Sequence, residues 1–331
     1  MEILQVLKDF GLEEITAVAG GGGTASPKHV IETPAGKYLL RERRKEFSPP
    51  DVIRFDHSVM IFLHGKGLPV IPPEKTIRGE RTCCYGGAVY ELFRFVEDLE
   101  EFSPGDRNQI EGAAATLGRM HRTLQNFSPE GKKAWTREFY PLLIRSELEK
   151  YINNLPGRFT DSNMISRILG ELDILIQNFR TEKLTHSIVH GDYTSANVKF
   201  RNGAVAGIFD FDWTSFQNTL YDISRAIVYF CFRRNSPVDG SDIRSLVQPC
   251  EVNIADTVVF IDAYRKEFRL TDADAGNLPY ALKEIIIGAR VRAMRKVPDT
   301  EKPGLLDGSL VRMLDSLDGR RSELTRIISP L

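Results

Sequence analysis

The chain has 331 residues, of which 42% are hydrophobic and 27% are charged. This length and composition allow one large or two modest domains with hydrophobic cores, and they exclude the disordered and fibrous classes of protein. A formal net charge of −1 provides no general electrostatic field for nucleic acid or anionic lipid, so we expect neither as a partner.

The first 14 residues, MEILQVLKDFGLEE, lack the basic start, apolar core and cleavage site of a secretory signal, although their spacing suits a short amphipathic helix. No stretch approaches the roughly 18 uncharged apolar residues that a transmembrane helix needs. The cysteines have neither zinc-site spacing nor the density of a disulfide scaffold. We therefore expect a soluble cytoplasmic protein with reduced thiols and no membrane partner.

Up to about Phe95 the pattern predicts strands separated by turns, with one longer helix among them. The helix is predicted from Asp51 to His64, and Asp56 lies at the edge of its apolar stripe, where an acid requires a cation. Strands are predicted at residues 18–23, 29–33, 37–41, 68–72, 76–77, 82–85 and 88–95.

After Phe95 the pattern becomes helical. Ser103 and Pro104 predict an N-cap and a first helical residue for a helix that runs to Leu124. Helices are expected to continue to about residue 183 and to return from residue 220, with a short β segment at 188–211. The sequence thus predicts an α+β chain with a strand-rich N-terminal lobe, residues 1–95, and a helix-rich lobe, residues 96–331.

Two charged segments are predicted to face solvent. The polar stretch 128–133 is typical of an exposed loop. The helix predicted at 281–297 carries Lys283, Arg290 and further cations that do not share one face, which favours a solvated helix over an anion site. The alternative for this helix is that one of its arginines reaches an acidic acceptor.

A hairpin is predicted inside the helical lobe. Residues 198–200 and 205–209 are joined by Arg201, Asn202 and Gly203, and Asn-Gly is the strongest short-range hairpin signal. Its two ends carry Asn197 and Asp210. The hairpin should therefore bring these two side chains together.

The segment HGDYTSAN, residues 190–197, places an acid and an amide five residues apart, which is the spacing of a kinase catalytic loop. In that pattern the loop aspartate, Asp192, meets the substrate hydroxyl, while Asn197 and the later Asp210 ligate magnesium. Carboxylate and amide oxygens are the ligands that Mg²⁺ prefers. The competing interpretation is that Asp192 and Asn197 merely cap a turn.

The stretch HSIVHGDYTSANVKFRNGAVAGIFDFDW, residues 186–213, resembles the signature of the aminoglycoside phosphotransferase, choline kinase and type II homoserine kinase family. LGRMHR at 117–122 and YDI at 221–223 are similar to further elements of that family. The resemblance implies a protein-kinase-like two-lobe fold, ATP and Mg²⁺ as cofactors, and a small-molecule hydroxyl as acceptor. It also implies Asp192 as catalytic base, Asn197 and Asp210 as metal ligands, and Asp212 as a further metal or substrate contact.

On the nucleotide side the resemblance implies that Arg41 contacts phosphate, in the place where the family commonly has lysine, with Asp56 as its ion-pair partner. A solvated basic strand end is the alternative for Arg41. Adenine would be held by backbone groups of Glu91, Leu92 and Phe93. A glycine-rich turn would cover the phosphates with backbone amides, and its contacts would come from Gly22, Gly23, Thr24 and Ser26.

Two other functions remain open from the sequence. One is a serine/threonine protein kinase, which is disfavoured because Gly191 replaces an arginine, because no A-P-E element is present, and because residues 212–222 are too short for an activation loop. The other is a non-catalytic nucleotide-binding relative, which is disfavoured because the base and both metal ligands are present. The acceptor itself is not predicted by the sequence.

Overall fold

The computed structural model describes residues 2–20, 26–133, 140–155 and 157–328. Within these residues the helices are α1 (Glu2–Asp9), α2 (Pro50–Gly65), α3 (Arg107–Leu124), α4 (Tyr140–Asn154), α5 (Ser162–Asn178), α6 (Leu220–Ala226), α7 (Ile243–Leu246), α8 (Ile254–Arg265), α9 (Asp272–Ala293), α10 (Gly308–Gly319) and α11 (Arg321–Ile328). The strands are β1 (Ala17–Gly20), β2 (Lys28–Thr33), β3 (Gly36–Glu42), β4 (Cys83–Tyr85), β5 (Ala88–Arg94), β6 (His186–Val189), β7 (Val198–Arg201), β8 (Ala204–Ile208), β9 (Ser215–Asn218), β10 (Arg233–Arg234) and β11 (Cys250–Glu251).

The N-terminal strands form one antiparallel sheet in the order β1-β2-β3-β5-β4. Side chains alternate between its two faces. One face carries Ile31, Leu40 and Leu92, which are buried against Val6 and Leu7 of α1. The opposite face carries Arg41, Glu91 and Phe93, three of the nucleotide-side residues predicted from the sequence, together with Leu39.

The helical part is built around α9, which corrects the prediction of a solvated helix at 281–297. Lys283 is buried, and its ammonium lies 2.8 Å from Glu171 of α5 and 2.6 Å from Asp318 of α10. Arg290 is also buried and lies 2.9 Å from Asp307. Burial is possible here because each cation meets a carboxylate from a neighbouring element.

The predicted hairpin is formed by β7 and β8, and both of its edges are bonded to other segments. Ile208 N–H donates to Pro69 O at 2.8 Å, and Phe200 N–H donates to Glu100 O at 2.9 Å. The strand predicted at 68–72 is therefore reduced to a single bridge between Val70 and Ile208. The strand predicted at 76–77 is a turn.

Helix α3 begins at Arg107 and not after Ser103. The N-cap is Asp106, whose carboxylate accepts from the N–H groups of Asn108 and Gln109. Gly105, with φ of +84°, makes the turn that precedes it. The α+β arrangement of an antiparallel sheet followed by a larger helical part is as predicted. Every helix in the described part of the chain is too short or too polar to cross a bilayer.

Candidate active site

Asp192 lies at the centre of the predicted catalytic loop, with its side chain 19% exposed. Asn197 donates from Nδ2 to Asp192 Oδ2 at 2.8 Å and to Asp192 O at 2.9 Å. The other carboxylate oxygen, Oδ1, forms an ion pair with Arg225 of α6. The structure thus brings the predicted base and amide together, and it adds a cation that the sequence did not point to.

The loop around Asp192 is fixed by Asp222, which is fully buried. Its Oδ2 accepts from His190 N–H at 2.7 Å, and its Oδ1 accepts from Gly191 N–H at 2.8 Å. His121 approaches Oδ2 through Nε2 at 3.3 Å. Burial would raise the pKa of Asp222, but the hydrogen bond and charge of His121, together with the loop N–H groups, outweigh it and hold this pKa below its ordinary value.

We expect Asp222→Asn to destabilise the protein by about 3 kcal/mol at pH 7, because the amide turns an N–H group toward a buried N–H donor. A carboxylate with a lowered folded-state pKa stabilises the fold above its unfolded-state pKa of about 3.9. The difference from the parent should therefore shrink as the pH falls below about 4. Urea unfolding at pH 7 and at about pH 3 measures it. If the loss of unfolding free energy were the same at both pH values, the ionised form of Asp222 would not be what stabilises the loop.

Gly191 stands where protein kinases have arginine. Its φ is +79°, and a Cβ at this position would lie 2.2 Å from Trp213 O. Because neither this conformation nor this contact admits a side chain, the loop can close against residue 213 only with glycine.

The hairpin places Asp210 beside Asn197, as predicted. Phe209 N–H donates to Asn197 O at 2.9 Å, and Asp210 has a left-handed φ of +63°. Burial, followed by the charge of Asp212, raises the pKa of Asp210, and Arg41, whose Nη1 is 3.6 Å from Asp210 Oδ1, offsets this only in part. The ionised carboxylate of Asp210 is thus short of positive charge.

These residues fit a magnesium ion. Asp210 Oδ1 is a buried atom without a hydrogen-bond partner, and a buried carboxylate oxygen of this kind suits a hard cation. No group of three or more His, Cys, Asp or Glu side chains in the described ranges is arranged to hold a metal. A bound Mg²⁺ would therefore combine Asp210 and Asn197 with oxygens of the nucleotide.

The predicted ion pair between Arg41 and Asp56 is wrong. Arg43 donates to Asp56 at 2.6 Å, whereas Arg41 lies opposite Glu91 in the sheet and donates to it at 2.6 Å. The chain stays extended beyond β3, since Arg43 N–H donates to Val89 O. Arg43 therefore projects on the same side as Arg41, one step nearer to α2.

A buried network links these charges, and we call Arg41, Arg43, Asp56, Glu91 and Asp212 the arginine–carboxylate network. Glu91 is fully buried, and although burial would raise its pKa, Arg41 and Arg43 hold that pKa well below its ordinary value. Asp212 is 3% exposed and accepts from Arg41 Nη2 at 2.9 Å. One carboxylate oxygen of Asp212 is therefore engaged by Arg41.

Glu91 and Phe93, whose backbone groups were expected to contact adenine, are committed to the N-terminal sheet. Both residues lie inside β5, where they pair with Arg41 and Leu39 of β3, and the alternate residue Leu92 uses its carbonyl for Glu74 N–H. Backbone groups that belong to a ladder are not free for a base. The expected phosphate contacts Gly22, Gly23 and Thr24 lie outside the described residues, and Ser26 lies just before β2.

Sequence reasoning missed Arg43, His57, Lys133 and Arg225. His57 meets Glu91 Oε1 at 2.6 Å, and Lys133 forms an ion pair with Asp56. Arg225 had a usable signal, because it follows Asp222 by three residues and therefore shares its helix face. Lys133 had no such signal, since the carbonyl groups of Asp212 and Thr214 that accept from it are 79 and 81 residues away in the chain.

Residues 15–245 match the model of the phosphotransferase enzyme family. The homoserine kinase of Bradyrhizobium sp. (strain BTAi1 / ATCC BAA-1182) is 22% identical over 321 residues, which cover 96% of this chain and 89% of that protein. A solved complex of an amicoumacin kinase with AMP-PNP and Ca²⁺ covers 99% of this chain and 95% of its own, at 18% identity and a TM-score of 0.65. A microcompartment-associated aminopropanol kinase covers 98% of each chain, at 14% identity and a TM-score of 0.69.

The two structural likenesses confirm the protein-kinase-like fold, with its antiparallel sheet and helical lobe. The family match extends from the first strands through the catalytic loop and the hairpin. The chain therefore belongs to the phosphotransferase enzyme family, which confirms both the resemblance and the prediction of a kinase that acts on a small-molecule hydroxyl group.

Proposed function

We propose that the chain transfers the γ-phosphoryl group of ATP to a hydroxyl of a small molecule, with Asp192 as the catalytic base. The observation that carries this proposal is the position of Asp192, which is held by Asn197 in the loop that leads into the hairpin, while Asp210, whose carboxylate charge is only partly offset, follows that hairpin. A carboxylate held in this way can accept the hydroxyl proton as the phosphorus–oxygen bond forms and ADP departs.

Asn197 and Asp210 would hold Mg²⁺, which when bound neutralises charge on the phosphates. Arg41 would direct a guanidinium toward the nucleotide, because it is 10% exposed and is positioned by Glu91 and Asp212. Asp212 then orients Arg41 and does not ligate metal. The nucleotide would bind between residues 1–95 and residues 96–331.

We further propose that the acceptor carries a carboxylate or a similar anionic group, as a hydroxy amino acid does. Arg225 lies against Asp192, where the acceptor must approach, and its side chain is 15% exposed. Lys296 is within electrostatic reach of Asp192, and its pKa is lowered by partial burial and by Arg44. A cationic acceptor would instead need convergent acids. The related Bradyrhizobium protein is named for the amino acid homoserine.

The test is an ADP-release screen with ATP and Mg²⁺ over hydroxy amino acids, amino alcohols and aminosugars. Turnover should be highest with hydroxy amino acids. Arg225→Met should raise the KM of such an acceptor by about tenfold, the value of one charge-assisted hydrogen bond, and should leave the KM of the matching amino alcohol within about twofold. Arg233→Met, at an exposed neighbouring arginine, is the control. Equal losses for both acceptors would contradict the anionic class.

A further inference from the structure

Residues 127–133 follow α3 and lie along α2. The exposed loop predicted at 128–133 is only partly correct, since Ser128, Glu130 and Lys132 are exposed but the Lys133 side chain is buried. We call residues 127–133 the α2 latch. The ring of Phe127 stacks on Phe62 with a centroid distance of 4.1 Å, and Glu130 N–H donates to Ser58 Oγ at 3.0 Å. The latch therefore contacts successive turns of α2.

Gly131 shows how closely the latch approaches the start of α2. Its φ is +74°, and a Cβ at this position would lie 2.3 Å from Asp51 O. Only glycine allows the two backbones to come this close. Because of this close approach, the side chain of Lys133, two residues later, lies in the interior.

The Lys133 side chain is 1% exposed. Its ammonium contacts the Asp56 carboxylate of α2, Asp212 O at 2.8 Å and Thr214 O at 2.7 Å. An ammonium has three N–H donors and no acceptor, so each of these oxygens can accept from it. Two of them come from the 3₁₀ turn Phe211–Trp213 and the residue after it, which directly follow Asp210.

Lys133 thus joins three parts of the site. Through Asp56 it reaches Arg43, which in turn contacts Glu91. Through the two carbonyls it holds the turn that leaves Asp210. A lysine in a solvent-exposed loop would make none of these contacts. Burial of the Lys133 charge is costly unless acceptors are fixed around it.

We propose that Lys133 is a positioning residue for phosphoryl transfer, which ties the turn after Asp210 to α2 and so fixes the direction of the Asp210 carboxylate. This inference rests on the proposed function, because it concerns the same reaction. Displacement of a reacting group by about 1 Å can cost about 100-fold in rate. Lys133 would therefore act on kcat and on nucleotide binding, and not on the acceptor.

The test replaces Lys133 with methionine, with Lys132→Met at the exposed neighbouring lysine as the matched control. We expect kcat to fall by about 10- to 100-fold, the calorimetric Kd of MgADP to rise severalfold, and the acceptor KM to stay within about twofold. Hydrogen exchange should become faster in residues 211–215 and in α2. Unchanged kcat and MgADP affinity with only a lower Tm would overturn the proposal.

The double variant Lys133→Met, Asp56→Asn separates the loss of the lysine's hydrogen bonds from the loss of its charge. It replaces the single variant if that variant does not fold. It removes the buried carboxylate that the lysine neutralises, and Arg43 keeps its contact with Glu91, so it should recover part of the lost stability. Its kcat and MgADP affinity should remain low, because the two carbonyls still lack their donor. Recovery of both would overturn the proposal. A parent protein that released no ADP would instead count against the proposed function.

Discussion

Asp192→Asn is expected to lower kcat by about 10³-fold, since a positioned general base contributes between about 10² and 10⁴ to a rate. Asparagine keeps the shape of the side chain and can still accept a hydrogen bond from Asn197, so the loop should fold. The Kd of MgATP should change little, because Asp192 would face the acceptor. ADP release at saturating acceptor, together with calorimetric titration of nucleotide, measures the two effects.

The matched control for this variant is Asp262→Asn on α8, where the aspartate side chain is 58% exposed. That substitution should leave kcat unchanged. If Asp192→Asn lost less than about threefold in kcat while remaining folded, Asp192 would not be the base. The pairing with Arg225 would then be its main role.

Asp210→Asn is expected to separate activity from stability. It should reduce kcat by at least about 100-fold. Replacement of a residue that only orients a metal ligand already lowers metal affinity or activity by about 10- to 100-fold. Magnesium should no longer strengthen ADP binding. Calorimetric titration of ADP with and without Mg²⁺ measures this loss, and equal enhancement in parent and variant would contradict the metal role.

The same substitution should leave the Tm in EDTA unchanged or raised. Burial and Asp212 raise the pKa of Asp210 in the fold, so its ionised form costs stability at any pH above the unfolded value, including pH 7. Asparagine removes that charge and tolerates the left-handed φ of +63°. A gain in stability with a loss of activity is typical of a site kept for function. A clearly lower Tm would indicate that the carboxylate has a structural role.

The centre of the site could be predicted because its information is local. Asp192, Asn197 and Asp210 lie within 19 consecutive residues of the sequence, and an Asn-Gly turn dictates that the last two meet. The helix α2 was predicted within one residue at each end for the same reason, since its apolar spacing and flanking proline and glycines are adjacent in sequence.

The nucleotide side could not be predicted because its pairs are decided by packing. The sequence does not distinguish Arg41 from Arg43 as the partner of Asp56. The position of α2 against the sheet decides that Asp56 pairs with Arg43. The burial of α9 was missed for a similar reason. The residues around Lys283 in the sequence predict an exposed side chain. It is buried because it bonds to Glu171, which lies 112 residues earlier. Charges that are neutralised by distant acids look exposed in a sequence.

The hairpin of β7 and β8 has a consequence for motion between the two lobes. On one edge Ile208 N–H donates to Pro69 O of the N-terminal lobe, whereas on the other edge Phe200 bonds to Glu100, which belongs to the same lobe as the hairpin. The lobes cannot separate at this point without breaking the backbone hydrogen bond between Ile208 and Pro69. Any opening that admits ATP or releases ADP would therefore pivot about the hairpin, so that the Asn197 and Asp210 side of the cleft moves least and the far rim moves most.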